Sequence, residues 1–423
     1  MPRRIAMVVP VFPRVSETFI VSKFLGLLGR GWDVHVVCDR RDEEAWALFP
    51  ELSASPALRR RVHTTWRTHP RGRVALLAPA AVFRCMTEAP ARTMRYVARG
   101  YRLLGDRLAR QLYLDAPLLL LGPDVVHFEF GALAPERMYL GELLGCRMVV
   151  SFRGYDVNYV GLDDPSHYAS VWARADALHF LGDDLWRRAQ RRGCPRAKPH
   201  VLVPPAIDAR VFVPNDERRT ESSNAPVQIL SVGRLEWKKG YEHALVAVRA
   251  LVDRGVPCEY RIVGDGTFMG GLAFARHQLG LEGVVTFLGQ ADRQTVLSEM
   301  RKADVFLQAS ISEGFCNAVL EAQAMELPVV CTDADGLREN VEDGVTGIVV
   351  PRRDTGAMAN ALAALAADPE RRRRMGEAGR RRVASRFRIE DQISAFDALY
   401  RSVLTGSRSA NAPGDGAATE VLA

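Results

Sequence analysis

At 423 residues the chain has room for two to three domains of about 150 residues each. With 48% hydrophobic and 25% charged residues it has the composition of an ordinary globular protein, which excludes a disordered or fibrous chain. Lys and Arg outnumber Asp and Glu by 57 to 50, for a net charge of +7.

The seven cysteines, Cys38, Cys85, Cys146, Cys194, Cys258, Cys316 and Cys331, form no CxxC pair and no zinc-type spacing. That argues against a disulfide framework and a structural metal, and for a reducing, cytoplasmic compartment.

In chain order, Met1-Pro2-Arg3-Arg4 leads into an apolar run at 5–9 that reads as a strand and lacks a signal-cleavage site. Helical spacing over 16–28 and a second strand at 34–37 complete a βαβ opening. Ser16 stands where it caps that helix. Ser16 and Glu17 are also candidate ligand contacts at the mouth of the first strand.

Residues 59–110 hold thirteen arginines against two acids, Glu88 and Asp106, with Trp66, Tyr96 and Tyr101 interspersed. This pattern suits a helix or pair of helices lying on an anionic membrane surface. No base-reading motif accompanies the charge, so no nucleic-acid partner is expected. The longest apolar stretches, 74–83 and 116–121, fall short of the about 20 residues needed to span a bilayer. Membrane contact is therefore expected to be peripheral, at the inner face of the plasma membrane.

Further strands are expected at 125–128, 148–152, 177–181 and 201–203. His127 ends one of them, where it is either a hydrogen-bonded strand-end residue or a ligand contact. A polar, proline-containing stretch at 206–226 reads as a linker. A second βαβ opening follows, with strands at 228–232 and 260–263 around a helix at 243–254. Strands are then expected at 284–288, 305–308, 329–332 and 347–350, and an arginine-rich helical region at 369–404.

The pattern predicts an α/β protein of two doubly wound Rossmann-like domains, residues 1–205 and 227–385. A helix at 386–404 returns to the first domain, and 405–423 form a disordered tail.

The strongest constellation is the run from Ser312 to Ala322, after the strand at 305–308. Ligands in open parallel sheets bind beyond the carboxyl ends of strands. Gly314 permits close backbone approach, and the helix starting near Asn317 and Ala318 offers free N–H groups to phosphate. Glu313 before that helix and Glu321 inside it reach different parts of one extended ligand, and sugar hydroxyls suit such acceptors.

Gly233-Arg234-Leu235-Glu236-Trp237-Lys238-Lys239-Gly240 follows the strand at 228–232 and brings Arg234 and Lys239 to the same rim. Two cations there suit a diphosphate and the charge that develops as it leaves. Gly264-Asp265-Gly266 lacks the spacing of a dinucleotide fingerprint, and Asp333-Ala334-Asp335 reads as a turn, so neither metal nor cofactor is called for.

Gly233-Arg234 with Lys239-Gly240, Val263-Gly264-Asp265-Gly266, Phe287-Leu288-Gly289, Glu313-Gly314-Phe315 with Glu321-Ala322, and Asp343-Gly344-Val345-Thr346-Gly347 together resemble glycosyltransferase family 4. The opening, Val11-Phe12-Pro13 through Ser16-Glu17-Thr18-Phe19-Ile20, resembles enzymes of bacterial exopolysaccharide and colanic-acid-type assembly.

The resemblance implies a GT-B architecture, two Rossmann-like domains facing across a cleft. It implies retaining transfer from a nucleotide sugar to a glycan or lipid-linked acceptor without a metal. Carried over by position, Arg234 and Lys239 grip the diphosphate, Glu313 the transferred sugar and Glu321 the ribose, with the backbone of Gly314 and Phe315 along the donor.

Where many members carry a histidine, this chain has Arg153, which donates hydrogen bonds but cannot act as a base. Arg153 is thus expected as an acceptor-side electrostatic contact. The same substitution leaves open an alternative, a non-catalytic sugar-nucleotide-binding subunit.

Overall fold

The computed structural model describes residues 3–14, 17–65, 71–214 and 225–406, with the backbone alone at 71–76. Ser16, Trp66, positions 215–224 of the expected linker and the tail beyond Gly406 lie outside the described residues. The chain divides into two compact units. The first takes Met1–Leu181, Trp186–Val203 and Ile393–Ala423, and the second Gly182–Leu185 and Pro204–Gln392.

The first unit holds β1 (Arg4–Phe12), β2 (Asp33–Arg41), β3 (Val62–Thr64), β4 (Val125–Phe128), β5 (Arg147–Phe152), β6 (Ala177–Phe180) and β7 (His200–Leu202). They form one sheet in the order β3-β2-β1-β4-β5-β6-β7, every pair parallel. Parallel strands need crossover helices on both faces, so central strands bury both sides and read as apolar runs. Ile5, Ala6 and Met7 of β1 are wholly buried, as are Val125, Val126 and Phe128 of β4.

The second unit holds β8 (Val227–Val232), β9 (Cys258–Val263), β10 (Val285–Gly289), β11 (Val305–Gln308), β12 (Val329–Thr332) and β13 (Gly347–Val350). Its sheet runs β10-β9-β8-β11-β12-β13, again all parallel. Helix Tyr241–Asp253 packs on it through Ala244, Leu245, Ala247, Val248 and Leu251, a spacing of three and four that puts the apolar groups on one face.

In each sheet the path reverses beside the first strand, at β1/β4 and at β8/β11. Both units are doubly wound, as the repeated βαβ pattern implies.

The departures from expectation have local causes. β3 spans three residues, too short to show an alternation. Residues 71–121 form three helices rather than one or two, Arg71–Glu88, Pro90–Leu104 and Leu108–Leu121. Pro90 starts the second, Gly105 ends it at φ 54°, and Gly122 ends the third in the left-handed region at φ 59°. The region 369–404 is two helices, Pro369–Arg386 and Ile389–Thr405, separated at Phe387 where φ and ψ leave the helical range. Thr405, expected to open a disordered tail, is the last residue of a helix.

From residue 393 onward that last helix belongs to the first unit. It buries Ile393, Phe396, Leu399, Tyr400 and Val403 there. The Trp32 indole N–H donates to Asp397 at 2.6 Å, and its ring meets Tyr400 edge-on at 5.9 Å. Phe396 lies under the Lys23 ammonium at 3.6 Å from the ring centre. Phe396→Ala should therefore cost about 3–5 kcal/mol of unfolding free energy, read as a lowered denaturation midpoint. An unshifted midpoint would mean that the helix does not hold the unit together.

Candidate functional site

In the second unit β8 and β11 are neighbours, paired at Val305↔Ile229 and Phe306↔Leu230, so the loops after them emerge side by side. After β8, Leu235 is wholly buried and its N–H donates to the Asp265 carbonyl at 2.9 Å. That anchor leaves Arg234 and Trp237 exposed. A single helical turn, Trp237–Lys239, ends at Gly240, whose φ of 63° starts helix Tyr241–Asp253.

After β11 the chain returns beneath this loop. The Ile311 N–H donates to the Lys238 carbonyl at 2.7 Å. Lys239 Nζ donates to Glu313 Oε1, so the two loops are joined by an ion pair as well as by backbone. Ser310 Oγ donates to the same carboxylate oxygen at 3.0 Å, and Gln308 Nε2 donates to Ser310 Oγ at 2.6 Å.

Burial works against the charge on Lys239, but Glu313 and Cys316 together outweigh it, and the ammonium's pKa stands above its ordinary value. An ammonium has three donors, and the pair with Glu313 engages one. Arg234 lies close enough to disfavour the charge on Lys239, and no described residue makes an ion pair with its guanidinium. Two cations repelling each other at one rim make a place for an anion.

Backbone contacts tie further loops to the site. A Cβ on Gly264, at φ 143°, would lie 1.9 Å from the Gly233 carbonyl oxygen. A Cβ on Gly336 would lie 2.1 Å from the Gly314 carbonyl oxygen, and the Gly336 N–H donates to the Glu313 carbonyl at 3.2 Å. Only glycine permits either approach.

Helix Asn317–Ala324 follows, and no side chain caps its first turn. Its preceding residue, Cys316, is held on both backbone groups by the buried Asn340 side chain, at 3.0 and 2.9 Å. The helix start is thus fixed while its first N–H groups, those of Asn317 and Ala318, are left for an anion. Phe315 turns its ring toward Phe387, the two ring centres 5.8 Å apart. Glu321, one turn further, has its carboxyl pushed up to about 7 by burial, with Arg293 opposing the shift.

Among acceptor-side candidates in the first unit, Ser16 lies outside the described residues. Glu17 pairs with Arg14 at 3.1 Å. Arg153 follows β5; its Nε–H donates to the Glu129 carbonyl at 3.1 Å, and its guanidinium sits 4.0 Å over the Phe19 ring. Burial lowers its pKa, with Glu129 opposing.

His127 is corrected as a contact. It is wholly enclosed, its Nδ1 2.6 Å from the Tyr400 hydroxyl and its Nε2 2.7 Å from Ser151 Oγ, so it has no surface to offer a ligand.

Two residues missed in the sequence organise this rim. Lys23 Nζ donates to Glu129 Oε1 at 2.6 Å, both side chains buried, and Glu129 Oε2 lies 3.5 Å from Arg153. The signal was present. Lys23 falls on the stripe of Ile20, Phe24 and Leu27 that the helix buries, and Glu129 sits between Phe128 and Phe130.

Residues 213–382 match the family model "Glycosyl transferases group 1". A glycosyltransferase of Escherichia coli K12 named for colanic acid biosynthesis, WcaL, is 30% identical over 377 residues, covering 84% of this chain and 88% of its own. The amylovoran biosynthesis glycosyltransferase AmsK of Erwinia amylovora is 28% identical over 371 residues, 83% of this chain and 88% of its own. The crystal structure of Anabaena HepE with UDP and glucose shares the fold, at TM-score 0.70 and 15% identity over 95% of this chain and all of that one. Two Rossmann-like units of GT-B type, a match to the family model across the cationic rim, and relatives named as glycosyltransferases that align over most of both chains lead to one assignment: the chain belongs to the glycosyl transferases of group 1.

Proposed function

We propose that the protein is a retaining glycosyltransferase of family 4, moving a sugar from a nucleotide diphosphate sugar, UDP- or GDP-linked, to a glycan or lipid-linked acceptor. The observation that carries this reading is the meeting of Arg234, the Lys239–Glu313 pair and the uncapped start of helix Asn317–Ala324 at the ends of adjacent strands. The relatives named for colanic acid and amylovoran biosynthesis support a role in bacterial surface polysaccharide or glycolipid assembly. HepE, crystallised with UDP and glucose, is a precedent for the donor class.

In this reading the diphosphate accepts hydrogen bonds from Lys239, Arg234 and the amides of Asn317 and Ala318. Glu313 receives hydroxyls of the transferred sugar, and Glu321 those of the ribose. The backbone of Gly233, Gly264, Gly314 and Phe315 borders the donor. As the bond between the anomeric carbon and the diphosphate oxygen breaks, negative charge grows on the phosphate and the two cations stabilise it.

The acceptor hydroxyl forms the new bond on the same face, and its proton passes to the departing phosphate oxygen. No protein base is needed, which accommodates Arg153 at the position where the resemblance to family 4 leads one to expect histidine. Arg153 and Glu17 of the first unit meet the acceptor. The enzyme works in the cytoplasm against an anionic membrane surface through residues 59–110; no described helix is long and apolar enough to cross a membrane.

The direct test is incubation with a panel of nucleotide sugars and acceptors, with NMR of the product's anomeric proton. Release of nucleotide and an anomeric configuration equal to the donor's are expected; an inverted product would overturn the retaining assignment.

Lys239→Ala and Glu313→Ala should each lower transfer by about 100-fold or more, the scale of one transition-state electrostatic contact. Circular dichroism should show both variants folded, and near-normal rates in either would remove these residues from the site.

Glu321 supplies a pH signature. Its native pKa of about 7 lies above the usual carboxyl value, so the folded protein binds the proton more tightly than the unfolded chain. Stability from this group is present at low pH and is lost as pH rises from the unfolded value through 7. Ribose hydroxyls prefer the ionised carboxylate, so nucleotide affinity should rise several-fold between about pH 6 and about pH 8. Calorimetric titration with UDP or GDP should show a steeper rise in wild type than in Glu321→Gln, whose remaining slope is that of the nucleotide's terminal phosphate.

A further inference from the structure

We propose that helix Pro90–Leu104 docks the protein on a bilayer by inserting an apolar stripe, Met94, Val97 and Tyr101, while a neighbouring stripe of Arg95, Arg99 and Arg102 engages anionic headgroups. This deepens the membrane reading above and rests on it, but is independent of the donor chemistry.

The helix is divided along its length. Thr93, Tyr96, Gly100 and Leu104 are buried and fix it to the first unit. The Tyr96 hydroxyl donates to Asp115 at 2.9 Å, and the Tyr139 hydroxyl donates to the same carboxylate at 2.6 Å. Arg92 donates to the carbonyls of Leu119 and Leu120, the last turn of the next helix, at 3.0 and 3.1 Å. A Cβ on Gly100 would lie 2.6 Å from Leu108, so the helix is seated closely.

At 3.6 residues per turn, positions 94, 97 and 101 form the stripe next to the buried one, and 95, 99 and 102 the stripe beyond. Met94 is 59% exposed and Tyr101 75%. Five of the fifteen exposed large hydrophobic residues among those described lie between 83 and 101, with Phe83 and Met86 on the preceding helix. Apolar surface concentrated in so short a segment marks a contact site.

The adjoining charge selects the partner. None of Arg95, Arg99 and Arg102 forms an ion pair with a described residue; Arg99 donates only to the Glu142 carbonyl, at 2.9 Å. Guanidinium groups match phosphate oxygens in pairs, and aliphatic and tyrosine side chains suit the headgroup boundary. A nucleic acid would satisfy the arginines but not Met94 and Val97. A bilayer with anionic phosphate headgroups satisfies both stripes at once.

The test is co-sedimentation of the full chain with vesicles of phosphatidylglycerol and phosphatidylcholine, or of phosphatidylcholine alone. Wild type should bind the anionic vesicles at least about tenfold more tightly. The combined variant Met94→Ser, Val97→Ser and Tyr101→Ser should lose most of that binding with its nucleotide affinity unchanged.

Tyr101→Cys, labelled with an environment-sensitive fluorophore, gives a readout that does not depend on that variant's folding, because all seven native cysteines are buried. Its emission should shift to the blue with anionic vesicles. Full binding by the serine variant, or an unshifted label on bound protein, would overturn insertion while leaving electrostatic attachment standing. Failure of wild type to bind either vesicle would overturn both. A concentration-dependent dimer abolished in the serine variant would assign the face to a second copy and overturn the proposal.

Discussion

The ion pair between Lys239 and Glu313 is the constraint on which the donor side depends. It fastens the loop after β8 to the loop after β11 at the carboxyl ends of two adjacent central strands. A half-buried ammonium and carboxylate would each be costly alone; together they hold one another in place and leave further donors and acceptors of both groups for a ligand. Arg234 adds a second cation to the same rim. The resulting arrangement is pre-set for an anion with hydroxyl groups attached, which is the chemistry of a nucleotide sugar.

Glycine extends that constraint to neighbouring loops. Gly264 lies against the Gly233 carbonyl and Gly336 against that of Gly314, so loops from β9 and β12 support those from β8 and β11 at distances that any side chain would forbid. Asn340 fixes the residue before helix Asn317–Ala324 through two hydrogen bonds, and so sets the direction of that helix's free amides. The site is therefore a property of the sheet's edge, with few residues from any one element.

Much of this was legible in the sequence, for physical reasons. Central parallel strands are buried on both faces, so β4, β11 and β12 appear as apolar runs with their observed limits. Arg234, Lys239, Glu313 and Glu321 stand out because they follow such runs at the end where ligands bind. The direct bond between Lys239 and Glu313 was not legible, since 74 residues separate them. Asn340 was hidden likewise, its role depending on a contact with Cys316 across 24 residues.

On the first unit's rim, the pairing of Lys23 with Glu129 made sense of two charges set among apolar neighbours, and the Tyr400 hydroxyl, brought in by the last helix, closed off His127. A strand-end histidine gives no local sign of that enclosure.

The donor site is defined by where a pyrophosphate sits. A crystal structure of the full chain with a bound nucleoside diphosphate should show its terminal phosphate within hydrogen-bonding distance of Lys239 Nζ, the Arg234 guanidinium and the amides of Asn317 and Ala318. Electron density for the nucleotide at any other place, with those four groups untouched, would contradict this placement.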